Sequence, residues 1–353
     1  MRPAVKSVLI TGGAGYIGSH TSWQLVEAGY RVVVLDNFYS GHRWAVPARA
    51  ELIEGDAGDH DLVRNTLREK GIESVIHFAG HIVVPESVVD PLMYYRNNTC
   101  ASRNLIAACL AEGVRSFVFS SSAAVYGIPE RIPVAETAAT LPINPYGTSK
   151  LVTEWMLRDV AAIPEIAVAN GFRYVALRYF NVAGARLDGA LGQATEDATH
   201  LIKVACQAAC GLRDYVPIYG TDYNTADGTC IRDYIHVEDL AAAHLAALDY
   251  LEHGGSSETL NCGYGRGYSV REVLDMVKRV SATDLSVREE SRRPGDAPML
   301  VSDPSRLQRL LGWHPRYADL KTICESAFLW EKSFRTRSRQ ASCLPQMFRH
   351  ETQ

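Results

Sequence analysis

The segment Asn144-Pro145-Tyr146-Gly147-Thr148-Ser149-Lys150 sets a phenol and an amine four residues apart. On a helix that spacing is one turn, so both side chains share a face. A free phenol has a pKa of about 10 and is a poor base at neutral pH. A neighbouring ammonium favours the phenolate, and Tyr146 would then be a usable acceptor for a hydroxyl proton. Tyr-x-x-x-Lys also occurs by chance on exposed helices, so the spacing alone leaves both readings open.

A second constellation lies at the other end of the sequence. The run SVLITGGAGYIGSH carries Gly12, Gly13, Gly15 and Gly18, which satisfy both GxGxxG and GxxGxxG. It follows a predicted strand and opens a predicted helix. Glycines there permit a tight turn and let backbone approach a pyrophosphate, which the helix N-terminus then attracts. A purely structural turn would use the same glycines. Asp36 ends the next predicted strand, 18 residues after Gly18. A carboxylate there accepts both hydroxyls of an adenosine ribose and repels a 2′-phosphate, which favours NAD over NADP. Asp56 ends the third strand, where an adenine contact and a turn or cap role are both open. The strand SFVFSSSAAVYG places Ser120, Ser121 and Ser122 at its carboxyl end, where a nicotinamide would lie. A serine there can hydrogen-bond the substrate oxygen that Tyr146 addresses, although serines at strand ends also form turns.

These residues need a frame. Short β-branched runs alternate with helical patterns. Predicted strands cover 7–10, 31–35, 51–54, 74–78, 116–121 and 174–178, and predicted helices cover 16–28, 59–70 and 91–112, with another from Pro145 onward. This βαβ rhythm gives an α/β fold, a doubly wound parallel sheet of Rossmann type, with ligands at the carboxyl ends of the strands. The expected division is a dinucleotide-binding domain over 1–180 and a smaller α/β substrate lobe over 181–334, with helices at 236–253, 269–281 and 319–334. The polar stretch 335–353 lacks clear periodicity and reads as a frayed tail.

Composition narrows the field. The chain has 353 residues, 47% apolar and 22% charged, with a formal net charge of -4. Bulk electrostatics therefore do not favour nucleic acid. No run approaches the ~18 apolar residues of a membrane span, and Val8-Leu9-Ile10 is too short for a leader. Eight scattered cysteines form no CxxC pair, which reads as reduced thiols in a cytoplasmic protein rather than a metal site.

Taken together, TGGAGYIGSH, LDN, HFAG, SSSAAVYG, NPYGTSK, LRYFN, DGTCIRDYIHV and RRPGD resemble the extended short-chain dehydrogenase/reductase family, most closely its UDP-galactose (UDP-glucose) 4-epimerases. The resemblance spans about residues 5 to 331. It implies tightly held NAD that takes hydride from sugar C4 and returns it to the opposite face, with no net redox change. Tyr146 would be the base, Ser122 its hydrogen-bonding partner, and Lys150 the holder of the nicotinamide ribose. The cofactor shell would comprise Gly12, Gly15, Tyr16, Ile17, Asp36, Asn37, Asp56, Ala57, Phe78, Ala79, Gly80, Asn97, Ser120 and Phe180. A UDP-sugar would meet Arg232 and Arg293 at its diphosphate, Asn181 and Tyr234 at the diphosphate and nucleotide end, Tyr219 at uracil and Asp296 at ribose, with Leu201 beside it. Without the resemblance both arginines would read as surface ion-pair partners.

Three positions depart from the family pattern. Ile82 stands where some relatives carry a lysine on the NAD ribose, His200 where an asparagine is familiar, and Leu300 where a tyrosine or cysteine limits the sugar C2 substituent. Rival readings are a dehydratase, a net dehydrogenase, a 4-epimerase of another UDP-sugar and a non-catalytic scaffold. The first needs Asp-Glu after the strand-end serine, and Ala123-Ala124 cannot move protons. A homodimer is also implied, through helices near 98–111 and 146–158, whose Leu105, Ile106, Cys109, Leu151, Trp155 and Met156 could equally be core of the chain itself.

Overall fold

The computed structural model describes residues 6–169, 171–195, 198–293 and 295–342. The first part of the chain runs β1 (Ser7–Thr11), α1 (Tyr16–Glu27), β2 (Arg31–Asp36), β3 (Glu51–Glu54), α2 (His60–Lys70), β4 (Ser74–His77), α3 (Val84–Val89), α4 (Pro91–Tyr94), α5 (Ala101–Ala111), β5 (Ser116–Ser122), α6 (Pro145–Ala161), α7 (Pro164–Ala169) and β6 (Arg173–Tyr179). The remainder runs β7 (Asn181–Ala183), α8 (Leu201–Ala209), β8 (Val216–Tyr219), β9 (Ile231–His236), α9 (Val237–Glu252), β10 (Glu258–Cys262), β11 (Gly267–Ser269), α10 (Val270–Ser281), β12 (Val287–Glu290), β13 (Met299–Leu300), α11 (Ser305–Leu311) and α12 (Leu320–Ser342).

Seven strands form one parallel sheet in the order β10-β6-β5-β4-β1-β2-β3. The central strands β1, β4 and β5 are buried on both faces, as a doubly wound sheet requires. Val8, Ile10, Val32 and Val34 face one apolar cluster, while Leu9, Val33, Leu35 and Val75 face the other. Local signals set the helix ends. Asp59 caps α2 by accepting from Leu62 N, and Gly71 closes it in the left-handed conformation. Ser269 and Glu272 form a reciprocal capping box on α10.

Three expectations need correction. The sheet does not end at residue 180: α9 returns to pack on α1, and β10 adds the seventh strand beside β6. The second lobe is therefore built from β7–β9, β11–β13, α8, α10 and α12, with its own cluster around Ile202, Val216, Val273 and Ile323. The single helix expected over 91–112 is α4 and α5 joined by a π-helical segment, Tyr95–Cys100. Finally, α12 continues past Phe334 to Ser342. Arg, Gln and Ala sustain a helix there, and no glycine or proline interrupts it. Residues 343–353 lie outside the described residues.

Candidate active site

A cavity of about 470 Å³ is lined by residues from the carboxyl ends of the parallel strands and from the second lobe. Its first wall is backbone. Gly12 has φ +71°, and a Cβ there would lie 2.6 Å from Ala79 N. A Cβ on Gly18 would lie 2.2 Å from Gly12 O. The glycines are thus required for close approach, not merely for flexibility. Gly15 precedes α1, and no side chain caps its first turn, so the helix's leading amides remain available to an anion.

Asp36 is only 7% exposed. Its carboxylate accepts from Ala14 N at 2.9 Å and Phe38 N at 2.8 Å, which fixes it at the wall with lone pairs to spare. Asp56 takes the turn role and also lines the cavity. It accepts from Gly58 N at 2.7 Å as a turn former and from Asn37 Nδ2 at 3.1 Å, while lining the cavity. Ala57, Phe78, Gly80, Asn97, Tyr16 and Ile17 line the same end. These features suit a dinucleotide: an uncapped helix start for phosphates, a fixed carboxylate for ribose hydroxyls, and apolar walls for rings.

The middle of the cavity carries the titratable groups. Asn144 caps α6 by accepting from Gly147 N at 2.8 Å, and Pro145 occupies the first turn. Tyr146 and Lys150 then fall on one face. The Lys150 Nζ lies 6.0 Å from the Tyr146 ring centroid and donates to Ser120 O at 2.9 Å. Lys150 and Ser120 sit just behind the wall, both nearly inaccessible. The Ser122 hydroxyl hydrogen-bonds the Tyr146 phenol, which lowers its pKa, but burial raises it more, and the net direction is up. Desolvation is the largest cause of that shift, and the Lys150 ammonium is not among its causes. Burial also pulls Lys150 down to about 8. Below that pH it remains an ammonium.

A second buried network holds α6 in place. Glu154, one turn beyond Lys150, takes a two-pronged bond from Arg178 of β6 and accepts from Ser121 Oγ at 2.5 Å. Arg178 also donates to Tyr126 at 2.9 Å, which donates to Asn261 of β10 at 2.7 Å. The helix bearing the phenol and the strand bearing Ser122 are thereby tied to one ion pair.

The far end belongs to the second lobe. Arg293 lies 3.6 Å over the Tyr219 ring, and Arg232 reaches Asp296 at 3.4 Å. Asn181, Phe180, Leu201 and Leu300 line the wall. His200 lines it too, with Nδ1 at 3.1 Å from Gln193 Nε2 and its pKa lowered by burial. Tyr234 is different: it is 3% exposed and belongs to the lobe's apolar cluster rather than to the cavity wall. Among the wall residues missed in the sequence are Tyr39, His81 and Tyr179. Tyr179 shares a 2.6 Å hydrogen bond with Ser120 Oγ, and its place beside Phe180 at a strand end was the available signal. Among the described residues no group of three His, Cys, Asp or Glu side chains could hold a metal, and no helix is long and apolar enough to cross a membrane.

Comparison with known proteins adds the remaining findings. Residues 8–263 match the Epimerase family, described as the NAD dependent epimerase/dehydratase family. A UDP-glucose 4-epimerase of Azospirillum brasilense is 54% identical over 338 residues, covering 96% of this chain and 95% of that protein. The crystal structure of UDP-glucose 4-epimerase from Brucella ovis in complex with NAD is 45% identical, with a TM-score of 0.88, covering 93% of this chain and 99% of that one. That of the Bifidobacterium longum enzyme in complex with NAD+ and UDP is 36% identical, with a TM-score of 0.86, covering 93% and 98%.

Proposed function

The chain belongs to the NAD dependent epimerase/dehydratase family, and from that premise we propose that it is an NAD-dependent 4-epimerase interconverting UDP-galactose and UDP-glucose. The observation that carries this reading is that Tyr146 and Ser122 line the same cavity as Gly12, Asp36, Arg232 and Arg293, with Lys150 buried beside Tyr146.

Gly12, Gly15 and the start of α1 receive the pyrophosphate, and Asp36 receives the adenosine ribose. NAD bound there would supply a positive ring charge and reversible hydride transfer. Tyr146 takes the proton of the sugar 4-hydroxyl, and Ser122 holds the same oxygen. The burial that raises the phenol's pKa makes positive charge beside it necessary, and the Lys150 ammonium is one source. The sugar passes through a 4-keto form. Arg232 and Arg293 grip the diphosphate, for which guanidinium geometry is suited. Binding energy thus sits far from C4, and the keto sugar is free to turn over before Tyr146 gives the proton back.

Incubation with UDP-galactose and no added NAD tests the reading. UDP-glucose accumulating to equilibrium is expected. Stoichiometric NADH release would instead make the protein a net dehydrogenase.

The protein works as a homodimer in this reading, but not through the whole expected face. Leu105, Ile106, Cys109 and Leu151 are in the core of the chain itself. Trp155 remains 44% exposed, and Val89 and Leu92 on the adjoining α3 and α4 are 86% and 76% exposed. These form the contact, and light scattering that finds a monomer rejects it. No disulfide joins the described cysteines, which suits the cytoplasm.

A further inference from the structure

The loop after β2 is held in an unusual shape. Phe38 has φ +58°, a conformation bulky residues rarely adopt. Three contacts hold it: Phe38 N donates to Asp36 Oδ1 at 2.8 Å, Tyr39 N donates to Asn37 Oδ1 at 3.0 Å, and the Arg43 guanidinium lies 4.3 Å over the Phe38 ring. Further along, His42 N donates to Ala14 O at 2.9 Å, folding the loop back onto the glycine turn. Strain of this kind persists only where the surroundings impose it, and its consequence here is where Tyr39 points.

Tyr39 meets His81, with ring centroids 4.3 Å apart and planes inclined by 32°. His81 follows β4, and Tyr39 follows β2. In the sheet those strands flank β1 on opposite sides, so their ends are separated by roughly 10 Å. The two rings therefore close across the turn that β1 leads into, and both line the cavity. His81 is also clamped from below. Asn98 accepts from His81 N at 2.8 Å and donates to His81 O at 3.0 Å, from within the π-helical segment. The imidazole Nδ1 is buried and faces the Glu86 carboxylate at 3.8 Å, so its ring is held from the side away from the cavity. Neighbouring Ile82 offers no polar atom to the cavity.

We propose that Tyr39 and His81 form a two-ring clasp that closes over the dinucleotide's phosphate region and slows its departure. The clasp rests on the reading of the cavity as an NAD site. Its effect falls on dissociation, since the rings must part before the nucleotide leaves.

The test is exchange of bound NAD for radiolabelled NAD, on the full chain purified without added nucleotide. Tyr39→Ala and His81→Ala should each speed exchange about tenfold, and the double variant should gain less than the product of the two, because the rings act as a pair. Tyr39→Phe keeps the ring and should exchange at the parental rate. Tyr39 is 65% exposed, so its substitutions leave the fold intact, which circular dichroism checks. Parental exchange rates in either alanine variant overturn the clasp alone. A parent protein that binds no NAD overturns the functional reading and the clasp with it.

Discussion

The two ends of the cavity are built from different materials. At the dinucleotide end the wall is backbone: glycines that admit no Cβ, an uncapped helix start, and a carboxylate pinned by two amides. At the UDP end the wall is side chain: Arg293 rests on Tyr219, and Arg232 reaches toward Asp296. The first end is set before anything binds. At the second, the groups satisfy one another until a diphosphate and a base replace those contacts. A preset site loses little freedom on binding, whereas a self-satisfied one must exchange contacts each time. That contrast matches a cofactor that stays and a sugar nucleotide that comes and goes.

The comparison can be broken at the junction first. Tyr146→Phe removes the proton acceptor while leaving both ends whole. Turnover should fall about a thousandfold with NAD still bound, as steady-state rates and nucleotide release after denaturation would reveal. A rate near that of the parent would deprive the phenol of its role. The next test strikes the backbone end. Gly18→Ala sets a Cβ 2.2 Å from Gly12 O, and about a hundredfold loss of NAD affinity is expected by calorimetry. Unchanged affinity would mean that the turn is pliable and the contrast unfounded.

A smaller effect is expected at the UDP end. Arg293→Ala should raise KM for UDP-galactose about tenfold with kcat little changed, the pattern of lost uniform binding. A fall in kcat at constant KM would move Arg293 to the reacting end. The smallest effect concerns stability. His244 on α9 stacks 4.6 Å from Phe78, its Nε2 is buried without a partner, and burial pulls its pKa down to about 4. The unfolded chain binds that proton near pH 6.5 and the folded one only near 4, so stability present above 6.5 is lost as pH falls through this window. His244→Leu should flatten the slope there by about 1.4 kcal/mol per pH unit, measured by urea unfolding from pH 4.5 to 7.5. An identical slope would remove His244 from the account.

Local signals made much of this legible. The αβ rhythm, the caps at Asp59, Asn144 and Ser269, the glycine turn and the Tyr146–Lys150 spacing each depend on neighbours within a few residues. The errors have the opposite character. Strand β10 joins the sheet after a long excursion through the second lobe. Tyr234 looks like a binding residue in its motif but packs inside the lobe. Leu105 and Leu151 lie on helix faces that sequence alone could not assign to core or partner.

The sequence by itself determined which residues could turn, cap, accept a proton or attract a phosphate, because those properties belong to a side chain and its immediate neighbours. Only the tertiary structure decided that burial outweighs the Ser122 hydrogen bond in setting the phenol's pKa, and that Tyr39 and His81 meet above the glycine turn. Desolvation depends on everything packed around a group, and a contact across three strands depends on their order in the sheet. Neither quantity is local in the chain.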